Sequence, residues 1–223
     1  MARLTDALAR RAVERSVADR QAEYSEEMQR IVEATYELVE RTGSLEPSLR
    51  DILAHTGLST QAFYRLFRSK DELLLALLDD GRRRLVAYLE RRMAAAPTPT
   101  DRVQAWIEGV LAQASTPRAA ARTRPFLANE DRLSERFPEE QRESVDLLVA
   151  LLADALGDLA PTGTPVGRIR RDAEAVYRLV FGILHSHLIA GTRPSPTTIA
   201  HTVSFCLGGV GCPGAVGVAG NTR

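Results

Sequence analysis

SLRDILAHTGLSTQAFYRLFRSKDE, residues 48–72, holds two short helices and the start of a third. Ser48 suits the N-cap of the first, with Asp51 three residues on as a weaker relative of the capping-box acid. Leu49, Ile52 and Leu53 give that helix one apolar side, and Gly57 is placed to end it. Ser59 caps the second helix. Leu58 precedes the cap and Phe63 is the fourth helical position, the spacing of a hydrophobic staple. Two short helices joined by a tight Gly-containing turn read as a helix-turn-helix.

The second helix divides into two faces. Counted from Thr60 at about 100° per residue, Thr60, Gln61, Tyr64 and Arg65 fall between about 0° and 140°. Ala62, Phe63, Leu66 and Phe67 fall between about 200° and 340° and form the core side. The first set is a compact patch of hydroxyl, amide, phenol and guanidinium, the groups that contact phosphates and base edges. An ordinary solvated face is the alternative. Ser69 and Glu72 then form a capping box, which puts Lys70 in the first turn of a third helix. A cation there opposes the helix dipole unless an external anion, such as a DNA phosphate, sits against it.

GLSTQAFYRLFRSKDELLLALL resembles the recognition-helix signature of the TetR family of transcriptional repressors, with Gly57, Leu58, Ser59, Tyr64, Phe67, Lys70, Asp71 and Leu73 in register. LRDILAHTG resembles the family's preceding helix. Two positions depart: Leu53 stands where the family usually has Ala, and Leu66 where it often has His. The resemblance covers residues 25–75. It implies a regulator that binds double-stranded operator DNA as a homodimer and responds to a small-molecule effector, without catalysis and without a cofactor. The implied DNA contacts are Gln61 and Arg65 at base edges, with Ser59, Thr60, Tyr64 and Lys70 at phosphates and Arg50 beside them.

Composition sets bounds. The 223 residues suffice for two small domains, 44% apolar content supports a core, and 26% charged residues favour solubility. No apolar run approaches the ~18 residues of a membrane span, and MARLTDALARRAVERS lacks the apolar run of a signal peptide, so a cytoplasmic protein is expected. Net charge is zero, and residues 1–72 carry eleven basic against thirteen acidic side chains, so any DNA footprint is local. Only one of 29 basic residues is Lys, a bias that removes weight from individual arginines. Cys206 and Cys212 are too few for a disulfide scaffold or a zinc site and read as reduced thiols near a loose end.

In chain order, residues 1–24 form a helix-prone basic extension with Arg3, Arg10, Arg11, Arg15 and Arg20, either an arm for a DNA groove or a packed extension. Ser25 suits the cap of the first helix of the DNA-binding domain (25–72), whose Met28, Ile31, Val32, Thr35, Leu38 and Val39 repeat at 3.6 residues up to Gly43. A helix from Lys70 to about Arg92 leads into a helical domain spanning 73–209. There, PTPT (97–100) is a break, Asp101 is a candidate cap, and Pro125 should kink or restart its segment. Pro138 opens a long helix, and another runs from about Arg168 to Ala190. PSPTTIAHTVSFCLGG forms a last helix, and 210–223 reads as a flexible Gly-rich tail. The fold class is all-α.

Helices 139–157 and 170–190 are apolar over more than one side, which suits an antiparallel pair that also packs on its copy. Trp106, Arg124, Phe126, Asn129, Tyr177, Phe181 and His185 interrupt aliphatic helices and are the candidate effector-site residues. Plain core packing is the alternative for each. Tyr177, Phe181 and His185 share one face, whereas His185 and His187 point about 200° apart and cannot chelate one metal. An apolar site with Arg124 and His185 nearby suits an acyl, lactone or aromatic compound bearing an oxygen. No phosphate loop, metal-ligand spacing or nucleophile motif supports an enzyme. The rival reading keeps the fold as a small-molecule or protein-partner sensor without DNA binding.

Overall fold

Good helix formers with apolar residues at helical spacing fill most of the chain, and every regular element among the described residues is helical. The structure, a computed structural model, describes residues 2–210, with side chains from Arg15 onward. Cys212, nearly all of the expected tail, and the side chains of Arg3, Arg10 and Arg11 lie outside the described residues. The helices are α1 (Ala2–Thr42), α2 (Leu49–Thr56), α3 (Thr60–Leu66), α4 (Lys70–Ala94) and α5 (Pro99–Leu111). After a short 3-10 turn follow α6 (Pro117–Leu127), α7 (Glu130–Arg136), α8 (Pro138–Leu159), α9 (Val166–Ala190) and α10 (Pro196–Gly209). The chain divides into two units, Met1–Leu78 and Asp79–Arg223, with α4 running from one into the other.

In the first unit, Ile31, Val32, Leu38 and Val39 of α1 are buried, as are Ile52, Phe63, Leu66, Phe67, Leu73, Leu74 and Leu77. Tyr36, also buried, donates its hydroxyl to the Leu77 carbonyl at 2.6 Å. That bond ties α1 to α4 and keeps a phenol satisfied inside an apolar core. Ser25 is not a helix cap: α1 passes through it unbroken, and its hydroxyl donates to the Gln21 carbonyl instead. The strong helix formers of 5–23 simply carry the helix onward, and a serine can bond back one turn without ending it.

In the second unit, α5 is central and packs against α8, α9 and α10, while α8 and α9 pack on each other. Val103, Trp106, Ile107, Val110 and Leu111 of α5 are fully covered. Gly109 lets α4 come close: a Cβ there would stand 2.6 Å from Leu89 Cδ2. Arg82 is largely buried and pairs with Asp79 and, at 2.9 Å, with Glu143 of α8. Burial opposes its charge, but the hydrogen bonds to Glu143 and Asp79 outweigh that and raise its pKa.

One expectation for this unit needs correction. Thr98, not Asp101, caps α5: its hydroxyl oxygen accepts from the Asp101 N–H at 3.1 Å, and Pro99 takes the first helical position where its missing N–H costs nothing. Pro125 lies in the last turn of α6, which ends two residues later, and the segment restarts as α7 at Glu130. Cys206 is a free thiol buried in the core, and burial pushes its pKa up to about 11. No helix among the described residues is long and apolar enough to cross a membrane.

Candidate functional site

The helix-turn-helix is built by its caps. Ser48 accepts from the Asp51 N–H at 3.1 Å, and its hydroxyl donates to the Asp51 carboxylate. Gly57 ends α2 at φ 70°, where a side chain would be strained, and its N–H bonds the Leu53 carbonyl. Ser59 accepts from the Ala62 N–H to start α3. His55 of α2 reaches Glu37 of α1 at 2.7 Å, fixing the first helix of the motif on its support.

On α3, Thr60, Gln61, Tyr64 and Arg65 are all exposed, and Phe63 and Leu66 are buried, as the helical wheel requires. Phe67 is buried too, but as the extended residue that closes the helix, not as part of it. Ser59, Arg50 and Lys70 are exposed at the starts of their helices. At α4, the Glu72 N–H bonds the Ser69 hydroxyl, while the Glu72 carboxylate accepts from the Arg68 N–H at 2.5 Å, one residue earlier than a standard capping box. Arg65 is engaged: its Nη2 lies 2.6 Å from Glu27 Oε2 of α1. Tyr24, one turn earlier on α1, donates its hydroxyl to the Arg65 carbonyl at 3.0 Å. Neither Tyr24 nor Glu27 was visible as a partner in the sequence, since both read as ordinary polar positions on a helix.

Residues 31–77 match the family model for bacterial regulatory proteins of the tetR family, which spans the buried face of α1, the helix-turn-helix and the start of α4. The match covers 47 of the chain's 223 residues, all within the first unit. The fold is like that of solved structures over 81–84% of the chain. A TetR transcription regulator from Haloarcula marismortui is 17% identical, with a TM-score of 0.69 over 83% of this chain and 98% of that one. E. coli NemR in its reduced form is 20% identical, with a TM-score of 0.62 over 84% and 99%. A transcriptional regulator from Pseudomonas aeruginosa PAO1 is 22% identical, with a TM-score of 0.65 over 81% and 86%. No curated protein matches the chain in sequence. At 17–22% identity these structures show a likeness of fold, and the tetR-type sequence match is confined to residues 31–77.

In the second unit, the candidate effector residues fall into separate places. Tyr177 and Phe181 stack with centroids 4.3 Å apart, and Trp106 lies 6.5 Å from both. Trp106 has no exposed surface, and its indole N–H donates to the Leu148 carbonyl at 3.2 Å, so here it is a core residue behind the other two rings. Burial, then the Glu130 charge, raises the Tyr177 pKa and keeps the phenol neutral. Phe126, Asn129 and His185 are half-buried, and the Asn129 amide donates to the Pro125 carbonyl. Arg124 is elsewhere: its Nη2 would lie 3.8 Å from a Cβ on Gly191, the cap of α9. Gly191 is about 20 Å along the helix axis from Tyr177. A guanidinium at a helix C-terminus complements the dipole, which accounts for Arg124 without a ligand. Among the described residues no group of three or more His, Cys, Asp or Glu is placed to hold a metal.

Proposed function

We propose that the protein is a cytoplasmic repressor that binds a palindromic operator as a homodimer and leaves it when a small-molecule effector binds. The observation that carries this reading is the exposed Thr60, Gln61, Tyr64 and Arg65 face of α3, backed by the buried Phe63 and Leu66. Selection of bound sequences from a random duplex library, by the purified protein at near-physiological salt, tests it. A two-fold consensus with half-sites about one DNA turn apart is expected. No enrichment at low or moderate salt, from folded dimer, would leave the sensor without DNA binding.

Gln61 reads a base edge and Lys70 holds a phosphate at the N-terminus of α4, where the helix dipole adds to its pull on the anion. Gln61→Ala is expected to relax the choice at one base pair by about 1–3 kcal/mol. Lys70→Ala should instead weaken all duplexes alike and lower the salt slope by about one phosphate's worth, or ~0.9. Titrations of the consensus and of single-base variants over a salt series check both. An unchanged salt slope for Lys70→Ala would remove the phosphate role.

The dimer forms through α9 and α10, in place of the α8 and α9 pair that apolar content alone suggests. Outward-facing α8 is acidic, with Glu139, Glu140, Asp154 and Asp158 exposed. On α9 the exposed residues from 175 to 190 are Ala175, Leu179, Gly182, Ser186, Ile189 and Ala190, with Arg178 the charged exception. Helix α10 has no charged residue, and Phe205 and His201 are exposed on it. Small and apolar outward residues let helices approach closely and bury surface against a copy. The effector site is assigned to Tyr177 and Phe181, with the half-buried Phe126, Asn129 and His185 as further candidates, and it suits an apolar or aromatic compound bearing an oxygen. Effector binding acts through α4, and only by its differential affinity for the two states.

A further inference from the structure

We infer that Glu27 of α1 is a positioning residue that sets the DNA sequence preference of Arg65; this rests on the DNA-binding reading above. Helix α3 is only two turns long, and its last carbonyls have no partner within it. Tyr24 supplies one from outside, donating its hydroxyl to the Arg65 carbonyl at 3.0 Å, with the Leu66 carbonyl at 3.4 Å. Glu27 lies three residues further along α1, on the same face. Its carboxylate holds Arg65 Nη2 at 2.6 Å. The two side chains of α1 therefore grip one residue of the recognition helix by both its backbone and its guanidinium.

The asymmetry of the ion pair gives it a role beyond folding. Glu27 is mostly covered, 20% exposed, whereas Arg65 is 60% exposed. The carboxylate is the fixed partner and the guanidinium is the presented one. Arginine carries five N–H donors in a rigid fork, so the bond to Glu27 leaves others for a base edge or a phosphate. Two consequences follow for a duplex laid against α3. The side chain is held in one direction, which favours the fixed geometry of a bidentate guanine contact. The Glu27 carboxylate beside it also offsets part of its charge, which reduces its attraction to phosphates of any sequence. Glu27 thus trades affinity for discrimination.

The test uses the full chain as wild type, Glu27→Gln, Arg65→Ala and the double variant. Each is titrated over a salt series against the duplex enriched in the selection and against an unrelated duplex. Glu27→Gln should lower the ratio of the two affinities about tenfold, within the range for one bidentate base contact. It should also steepen the salt dependence on the unrelated duplex by about 0.9 per subunit, as a freed guanidinium takes up a phosphate. On the Arg65→Ala background the same change should do neither. A specificity ratio and salt slope equal to wild type in Glu27→Gln would overturn the inference. So would an equal effect of Glu27→Gln with Arg65 absent. If wild type itself binds no duplex, the DNA reading fails and this inference with it, a result distinct from selective wild-type binding that Glu27→Gln leaves untouched. NMR of the Arg65 guanidinium in the DNA-free protein gives a separate readout: slowed rotation in wild type, lost in Glu27→Gln, is expected. Free rotation in wild type would overturn the positioning role.

Discussion

Phe205→Glu is expected to turn the dimer into monomer at micromolar concentration. Phe205 is 63% exposed on α10, a helix with no charged residue of its own to receive a carboxylate. An aromatic anchor at the middle of an interface commonly costs about 2 kcal/mol or more when lost. A carboxylate left unpaired in its place adds a desolvation penalty. Together these raise the dimer dissociation constant at least about 100-fold, or ~2.7 kcal/mol. Sedimentation velocity over a concentration series measures it. Leu147→Glu on α8 is the matched control, since Leu147 is 41% exposed among acidic neighbours and should change the dissociation constant little. If Leu147→Glu dissociates the dimer and Phe205→Glu does not, the interface is the α8 and α9 pair after all.

Trp106→Ala should destabilise the second unit by about 3–5 kcal/mol, the range for removing a large buried aromatic side chain. The ring has no exposed surface, touches Tyr177 and Phe181, and spends its N–H on the Leu148 carbonyl. Truncation leaves a cavity at the centre of α5 and an acceptor without its donor, and close-packed interiors relax only partly around such a gap. For a chain of this size the midpoint of thermal unfolding should fall by about 6–20 °C. Urea unfolding followed by circular dichroism gives the free energy directly. A loss under about 1 kcal/mol, with effector affinity changed instead, would mean that Trp106 lines a ligand cavity and is not core.

The helix-turn-helix was legible because its signals are local. Ser48, Gly57 and Ser59 each act on a backbone group within four residues, so caps and turn appear at the positions that their chemistry dictates. The division of α3 was legible for the same reason, because a helix fixes its own wheel. What escaped was tertiary. Tyr24 and Glu27 matter through partners about 40 residues away, Tyr36 through Leu77, and nothing in the spacing of α1 marks them. Ser25 misled because a serine before two glutamates is a good cap in isolation, and only the continuing helix overrides it. Arg124 and Tyr177 looked like companions on composition, yet α9 separates them by about four turns. One missed signal was readable: the complete absence of charge in Pro196–Gly209 marks α10 as a face that needs cover.

The bare backbone at Gly109 also bears on how a message could travel. The Leu89 side chain of α4 is seated where a Cβ would be, with the Arg92–Glu108 pair at 3.1 Å beside it, so α5 contributes no side chain of its own and Leu89 rests directly on its backbone. Leu89 is fully buried, which leaves it little room to change rotamer. A displacement of α5 is therefore expected to press on α4 through that one packed leucine, because close-packed elements shift together and compress little.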